Sequence, residues 1–368
     1  MDDRGEQQGR KAGLHIDRRA VLAGSVALAS TASLGVAPAA MAGHVEGPAS
    51  GSKLPLVLSR VGSFMVGGQL KPALLRHTLG DGTDANYEAT IWANQMYVQC
   101  MIPAHKRHKY PVVFVHGGGC TGKSFEETPD GREGWVHYFA RQGFDTYWVD
   151  KPWRGRSGFD PTQINRALES NDASLIPSIH SPAAKEVLDA ASWGFGELTT
   201  RETILTGIKE TVPDFTISLE GAKAITDGGP IIYDALIALL ERIGPAVLIG
   251  HSQGGSEVFG PLHERPDLVA GVMAVEPAVP PTEGFEHYTG APIMTLWAEQ
   301  RVVGGTSHMS NAEADRKTAS AINAAGGDAE VKVLTELGIH GNGHMMMQNT
   351  NSDQVAQVMV DWLAAKLG

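Results

Sequence analysis

Six short apolar runs limit what this chain can fold into: Val112 to His116, Thr146 to Asp150, Ala246 to Gly250, Val269 to Glu276, Ile293 to Ala298 and Val331 to Leu337. Most lack the polar alternation of a half-solvated strand, which is the pattern of strands covered on both faces. Among them lie stretches with helical spacing: Trp135 to Gln142, Ile231 to Ile243, Gly254 to Glu264, Asn311 to Ala325 and Asp353 to Leu367. Buried strands alternating with helices predict an α/β fold with a mostly parallel central sheet and helices on both faces. Ahead of them, Leu54 to Val66 and Ala89 to Pro103 alternate and are rich in β-branched residues, so antiparallel strands are predicted there. The 44 Gly and 20 Pro of the 368 residues suit such a loop-rich architecture and disfavour a helical bundle.

Residues 1–42 read as an export signal. A polar stretch ends in Asp17-Arg18-Arg19, an apolar run follows from Ala20 to Val36, and Ala40-Met41-Ala42 has the A-x-A form of a cleavage site. Gly24, Ser25, Ser30, Thr31, Ser33 and Gly35 make that run too mild for a membrane span. The segment resembles a twin-arginine signal, with Asp17 where that pattern prefers Ser or Thr and Val21 where Phe is common. The expected mature protein is therefore periplasmic or secreted. It consists of a Gly/Ser-rich linker at 43–53 and one domain at 54–368. Within that domain, about 159–227 has no buried strand and is longer than an ordinary connection, so an inserted lid over a site is predicted.

The net charge of −11, from 30 Lys and Arg against 41 Asp and Glu, argues against nucleic acid as a partner, since no basic block exceeds Lys106-Arg107-His108-Lys109. The two cysteines, Cys100 and Cys120, have no metal-site spacing. Gln95 to Pro103 and Tyr110 to His116 read as a hairpin that would set Cys100 opposite Val113. Cys120 lies well beyond that register, so no bridge between the two is expected.

Val247-Leu248-Ile249-Gly250-His251-Ser252-Gln253-Gly254-Gly255 places G-x-S-x-G directly after a buried strand and before a helix. The bare pentapeptide is a weak signal; its strand and helix context makes it a strong one. A serine on that sharp turn holds its hydroxyl above the sheet, beside the positive end of the following helix. The plain alternative for Ser252 is a helix N-cap. Upstream, Val112 to Val115 run into His116-Gly117-Gly118-Gly119, whose glycines let backbone amides approach an oxyanion closely. Gly118 and Gln253 are the candidate amide donors. The phosphate-loop alternative lacks the required G-x-x-x-x-G-K-[ST] spacing.

A serine hydroxyl needs a base, and the base needs an acid to orient it. Of the 14 histidines, His340 and His344 lie in the last loop before the final helix, and His344, flanked by Gly341 and Gly343, is preferred. No third ligand joins these two, so no metal site is expected. For the acid, strand ends leave Glu276 and Glu299, and spacing alone does not choose between them. The candidate pocket wall is Trp153, Trp193, Phe195 and Phe125, with core packing as the plain alternative.

Together these motifs resemble the α/β-hydrolase superfamily over roughly Leu54 to Gly368. Thr128 to Trp135, Arg154-Gly155-Arg156-Ser157, Val275-Glu276-Pro277 and Gly341 to Gln348 look more narrowly like a group of secreted bacterial serine esterases. That resemblance implies a Glu acid after the sixth strand, matching Glu276, and a base at His344. Those relatives can carry two adjacent cysteines in the oxyanion loop, where this chain has Gly118-Gly119 and then Cys120. The implied activity is hydrolysis of small carboxylic esters through a Ser-His-Glu triad and an acyl-enzyme, without a cofactor. A lactonase, thioesterase or amidase would use the same constellation. A non-catalytic binding module on this scaffold would normally have lost the Ser or the His.

Overall fold

Residues with fully apolar, unalternating sequence do form the centre of a sheet. The computed structural model describes residues 54–80, 82–176, 200–213, 231–298 and 311–368, all within the unit Gly47–Gly368. The predicted export signal, the linker, and Trp193 and Phe195 lie outside the described residues. The strands are β1 (Leu58–Thr78), β2 (Asp84–Pro103), β3 (Val112–Val115), β4 (Thr146–Asp150), β5 (Ala246–His251), β6 (Val269–Val275), β7 (Ile293–Trp297) and β8 (Ala329–Val333). The described helices are α1 (Trp135–Gln142), α2 (Thr162–Ser170), α3 (Arg201–Ile208), α4 (Ile231–Ile243), α5 (Gln253–Glu257), α6 (Phe259–Glu264), α7 (Ala312–Ala324) and α8 (Ser352–Leu367).

The strands form one sheet in the order β1-β2-β4-β3-β5-β6-β7-β8. From β4 to β8 all neighbours are parallel, while β1 and β2 form an antiparallel ribbon and β2 runs antiparallel to β4. This is the expected α/β class with antiparallel N-terminal strands. The ribbon is longer than predicted, because pairing continues through Leu70↔Trp92 to Thr78↔Asp84. Pro72 is tolerated there since β1 is the sheet edge, where a missing N–H costs no ladder bond. The proposed hairpin of Gln95 to Pro103 with Tyr110 to His116 does not form. β4 inserts between β2 and β3, and Cys100 faces Gly62 and Tyr147. Two runs close in sequence were separated because β3 gains two parallel neighbours in the sheet centre. Both cysteines are buried, and no disulfide joins them.

Alternate residues of β3 point to opposite faces, as a pleated strand requires. Val112 and Phe114 join Trp135, Phe139, Met359 and Trp362 on the side of α1 and α8. Val113 and Val115 join Leu236, Leu239, Leu240 and Leu262 on the side of α4 and α6. Each such side chain, fully buried, contributes about 1.5–3 kcal/mol. The predicted helix Gly254 to Glu264 divides into α5 and α6 at Val258, and the predicted strand end Leu334 to Leu337 is a 3-10 turn. Among the described residues, no helix is long and apolar enough to cross a membrane. Described parts of 159–227 hold α2, a short 3-10 turn at Ala173–Leu175 and α3.

The register aligns Val115 with Gly250, His251 with Val275, and Val275 with Leu296. The loops after β3, β5 and β6 therefore leave the sheet side by side at its carboxyl edge, where ligands bind in open α/β sheets.

Candidate functional site

Ser252 is the pivot between β5 and α5. Its φ of 55° and ψ of −118° lie outside the regions an ordinary side chain prefers, a local strain of about 1–3 kcal/mol held by the surroundings. The holding contacts are visible: Ser252 N–H donates to the Val275 carbonyl at 2.9 Å, and the Ser252 carbonyl accepts from Ala278 N–H at 3.0 Å. The flanking glycines are obligatory for space. A Cβ on Gly250 would sit 2.2 Å from the Gly254 carbonyl oxygen, and one on Gly254 would sit 2.3 Å from that of Val115. The Ser252 side chain accepts no cap bond from an α5 N–H, so the plain N-cap reading does not describe it.

His344 and Glu276 come together across 68 residues of chain. His344 Nδ1 and Glu276 Oε2 are 2.5 Å apart, with both side chains buried. The other carboxylate oxygen of Glu276 accepts from the Ala298 N–H at 2.9 Å, so the group is fixed at both ends. Glu276 itself stands at φ 43° directly beyond β6. With Nδ1 committed to Glu276, Nε2 is the ring atom left for a reacting proton. His340, the alternative base, is exposed, and Glu299, the alternative acid, lies outside the described residues.

The loop that carries His344 is held from several sides. Asn342 Nδ2 donates to Asn349 Oδ1 at 3.1 Å and to Asn351 Oδ1 at 2.7 Å. Arg132, from the Thr128 to Trp135 motif, donates to the Asn349 carbonyl at 2.9 Å and to Ser352 Oγ at 3.2 Å. The second motif works in the same manner: Arg156 binds Asp150 through its backbone N–H and Nε at 2.9 and 2.7 Å, and Asp150 also accepts the Gly122 N–H. These motif residues anchor the loops.

In the glycine loop after β3, Gly117 and Gly119 are buried while Gly118 is partly accessible. Part of the 159–227 segment stands against this loop. Val212 N–H donates to the Gly119 carbonyl at 2.8 Å, and Glu210 bridges Lys123 at 2.9 Å and Gln348 at 2.8 Å. Burial raises the Glu210 carboxyl above its ordinary range against the pull of Lys123.

Of the four wall candidates, Phe125 is fully buried and stacks on Trp135 beside Phe114. Its ring is a core contact, so the pocket-wall assignment is corrected: the short 3-10 turn at Gly122–Phe125 turns that ring inward. Trp153, at φ 70°, follows the end of β4, donates from Nε1 to Asn94 Oδ1 at 2.9 Å and lies 6.1 Å from Phe159. Sequence reading missed three polar residues beneath the site. His251 is buried, and its Nε2–H donates to the His344 carbonyl at 2.9 Å. Burial and the neighbouring His344 ring hold its pKa well below the usual histidine range. His116 and Lys151, also buried, lie under the glycine loop. The available signal was a polar residue at or just beyond the end of an apolar run, as His116, His251 and Lys151 are. Among the described residues, no three or more His, Cys, Asp or Glu side chains group as metal ligands do.

No family model matches the chain. A probable secreted lipase, phiG, of a fungal species (strain ATCC 74256) is 28% identical over 327 residues, which is 73% of this chain and 85% of the relative. The atomic-resolution structure of a novel bacterial esterase superposes with a TM-score of 0.75 and is 30% identical, covering 86% of this chain and 99% of its own. The sheet, with its parallel centre, its strand-to-helix elbow and these relatives, shows that the chain belongs to the α/β-hydrolase superfamily and, within it, to the carboxylic ester hydrolases.

Proposed function

We propose that this protein is an exported serine esterase in which Ser252 is the nucleophile, His344 the general base and acid, and Glu276 the orienting carboxylate. The observation that carries the reading is the 2.5 Å contact of His344 Nδ1 with Glu276 Oε2, on loops that flank a serine held at positive φ. In the first step Ser252 Oγ attacks the ester carbonyl carbon as its proton passes to His344 Nε2. The tetrahedral oxyanion is met by the N–H groups of Gly118 and Gln253. Collapse breaks the bond to the alcohol oxygen, which leaves with the proton from His344. Water then adds to the acyl-enzyme by the same route and frees the acid. Glu276 stabilises the imidazolium in each half-reaction.

Export follows from residues 1–42, and the secreted fungal relative supports it. The proposed layout is a cleaved twin-arginine-type signal at 1–42, a linker at 43–53, and a hydrolase domain at 54–368 with a lid at about 159–227. Trp153, with Trp193 and Phe195, is proposed to line the substrate side.

A panel of nitrophenyl esters of rising acyl length tests the activity on native protein and on Ser252→Ala. The variant is expected to lose all but a residual rate, and equal turnover by both proteins would end the reading. The acyl-length optimum sizes the pocket. Export is checked separately by N-terminal sequencing of the protein recovered outside the cytoplasm, which should begin at Gly43.

A further inference from the structure

A buried lysine lies beneath both proposed oxyanion donors. Lys151 follows directly on β4, and its side chain has no exposed surface. Its ammonium donates to Glu257 Oε2 at 2.9 Å and to Gln253 Oε1 at 3.0 Å. Its backbone N–H donates to His116 Nε2 at 3.1 Å. A ring nitrogen that accepts is unprotonated, so the His116 proton is on Nδ1, and that atom lies 2.8 Å from the Gly117 carbonyl oxygen. Burial, with the Lys151 charge beside it, keeps His116 neutral by holding its pKa well below the usual histidine range.

The consequence for Gly118 comes from peptide geometry. The Gly117 carbonyl and the Gly118 N–H belong to one planar, trans unit and point in opposite directions. With the carbonyl held toward His116, the Gly118 N–H is turned to the other side, and Gly118 is the partly accessible glycine of this loop. The loop packs close to the elbow, since a Cβ on Gly117 would lie 3.0 Å from Ser252 Cβ. Among the described residues, the Gly118 N–H has no hydrogen-bond acceptor.

We propose that Lys151 is the positioning residue of the oxyanion hole, setting the Gly118 amide through His116 and the Gln253 amide through the Gln253 side chain. The inference rests on the serine-esterase reading above. Burying a lysine ammonium and a carboxylate together costs stability relative to apolar side chains of the same volume, so a role in aligning two amides accounts for the pair better than stability does. Neither Lys151 nor His116 is given a contact with substrate in this arrangement; Lys151 acts on Gln253 through its ammonium and on His116 through its backbone N–H.

The test is Lys151→Met combined with Glu257→Gln, which removes both charges of the buried pair and with them the hold on the Gln253 side chain, while the backbone N–H to His116 stays in place. The expected outcome is a folded protein whose kcat falls roughly 10²-fold, on the scale of losing one oxyanion donor. KM and the pH profile of kcat/KM should be unchanged. Inhibition by a trifluoromethyl ketone, whose adduct with Ser252 bears the same oxyanion, should weaken by a similar factor. A folded double variant with kcat within about twofold of native, or one in which KM and the pH profile move together with kcat, overturns the proposal. Should the double variant not fold, Gln253→Met removes the Lys151 acceptor at a half-buried position. It should lower kcat and weaken the ketone in parallel, and native values for both overturn the proposal. Ser252→Ala run alongside separates the two readings: an active alanine variant removes the esterase site, whereas an inactive one beside a fully active Lys151 variant removes only the role of Lys151.

Discussion

Four side chains within the site region have backbone or charge states that unconstrained residues avoid, and each is held by a neighbour. Ser252 and Glu276 both stand at positive φ, and both are fixed by hydrogen bonds to adjacent strands: Ser252 N–H to the Val275 carbonyl and Glu276 N–H to that of Leu296. His251 and His116 are held neutral by burial. At this scale the orienting role of Glu276 is the sharpest prediction. Glu276→Gln keeps the shape but loses the negative charge that fixes the His344 tautomer. Its kcat should fall roughly 10³- to 10⁴-fold with KM little changed, measured by steady-state ester hydrolysis. A loss below tenfold would move the acid elsewhere, with Glu299 the first alternative. Spacing could not choose between these two carboxylates, because both follow apolar runs and spacing contains no information about which one meets the late histidine; the family resemblance alone pointed to Glu276. The choice of His344 over His340 was more legible, since glycines on one side of a loop signal close approach.

The elements were legible wherever their apolar pattern was strong. The helices α1 and α4 span the residues their periodicity marks, and β4 the residues of its apolar run. β1 and β2 were read short because Gly67-Gly68 and Pro72 are strand breakers in isolation, and a long antiparallel partner overrides them. At this scale, Phe114→Ala should remove about 3–5 kcal/mol of stability, as an emptied aromatic core site does. Urea unfolding measures it, and because Phe114 faces α1 and not the carboxyl edge, kcat/KM of the folded fraction should stay near native. Gly254→Ala does the reverse. Its Cβ would collide with the Val115 carbonyl, a backbone atom that cannot step aside. The elbow must shift, and ester turnover should drop roughly 10²-fold or more for a stability loss of about 1–3 kcal/mol.

For the molecule as a whole, buried histidines make stability depend on pH. The pKa values of His116 and His251 are depressed in the folded state relative to an unfolded value of 6.5. Below that value the unfolded chain binds protons that the native state refuses, so stability is full above about pH 6.5 and is lost as pH falls below it. Each group contributes a slope of up to about 1.4 kcal/mol per pH unit. Melting temperatures between pH 7 and 5 should fall, and His116→Gln should fall less steeply than native; parallel curves would show that His116 does not titrate on unfolding. The two cysteines are buried thiols outside any disulfide, and burial pushes the Cys100 thiol up. A thiol reagent should therefore label neither in native protein and both after denaturation, and reductant should leave the melting temperature unchanged.

The linear chain by itself determined the α/β class, the strand and helix alternation, and the turn that carries Ser252, because these depend on periodicity and on glycines within a few residues of one another. Only the tertiary structure decided that β4 slots between β2 and β3, that Glu276 meets His344 across 68 residues, and that Lys151 lies beneath the glycine loop. Those are pairings between distant segments. They are set by which buried polar groups and strand edges satisfy one another once the sheet is assembled, a condition that no local window of residues contains.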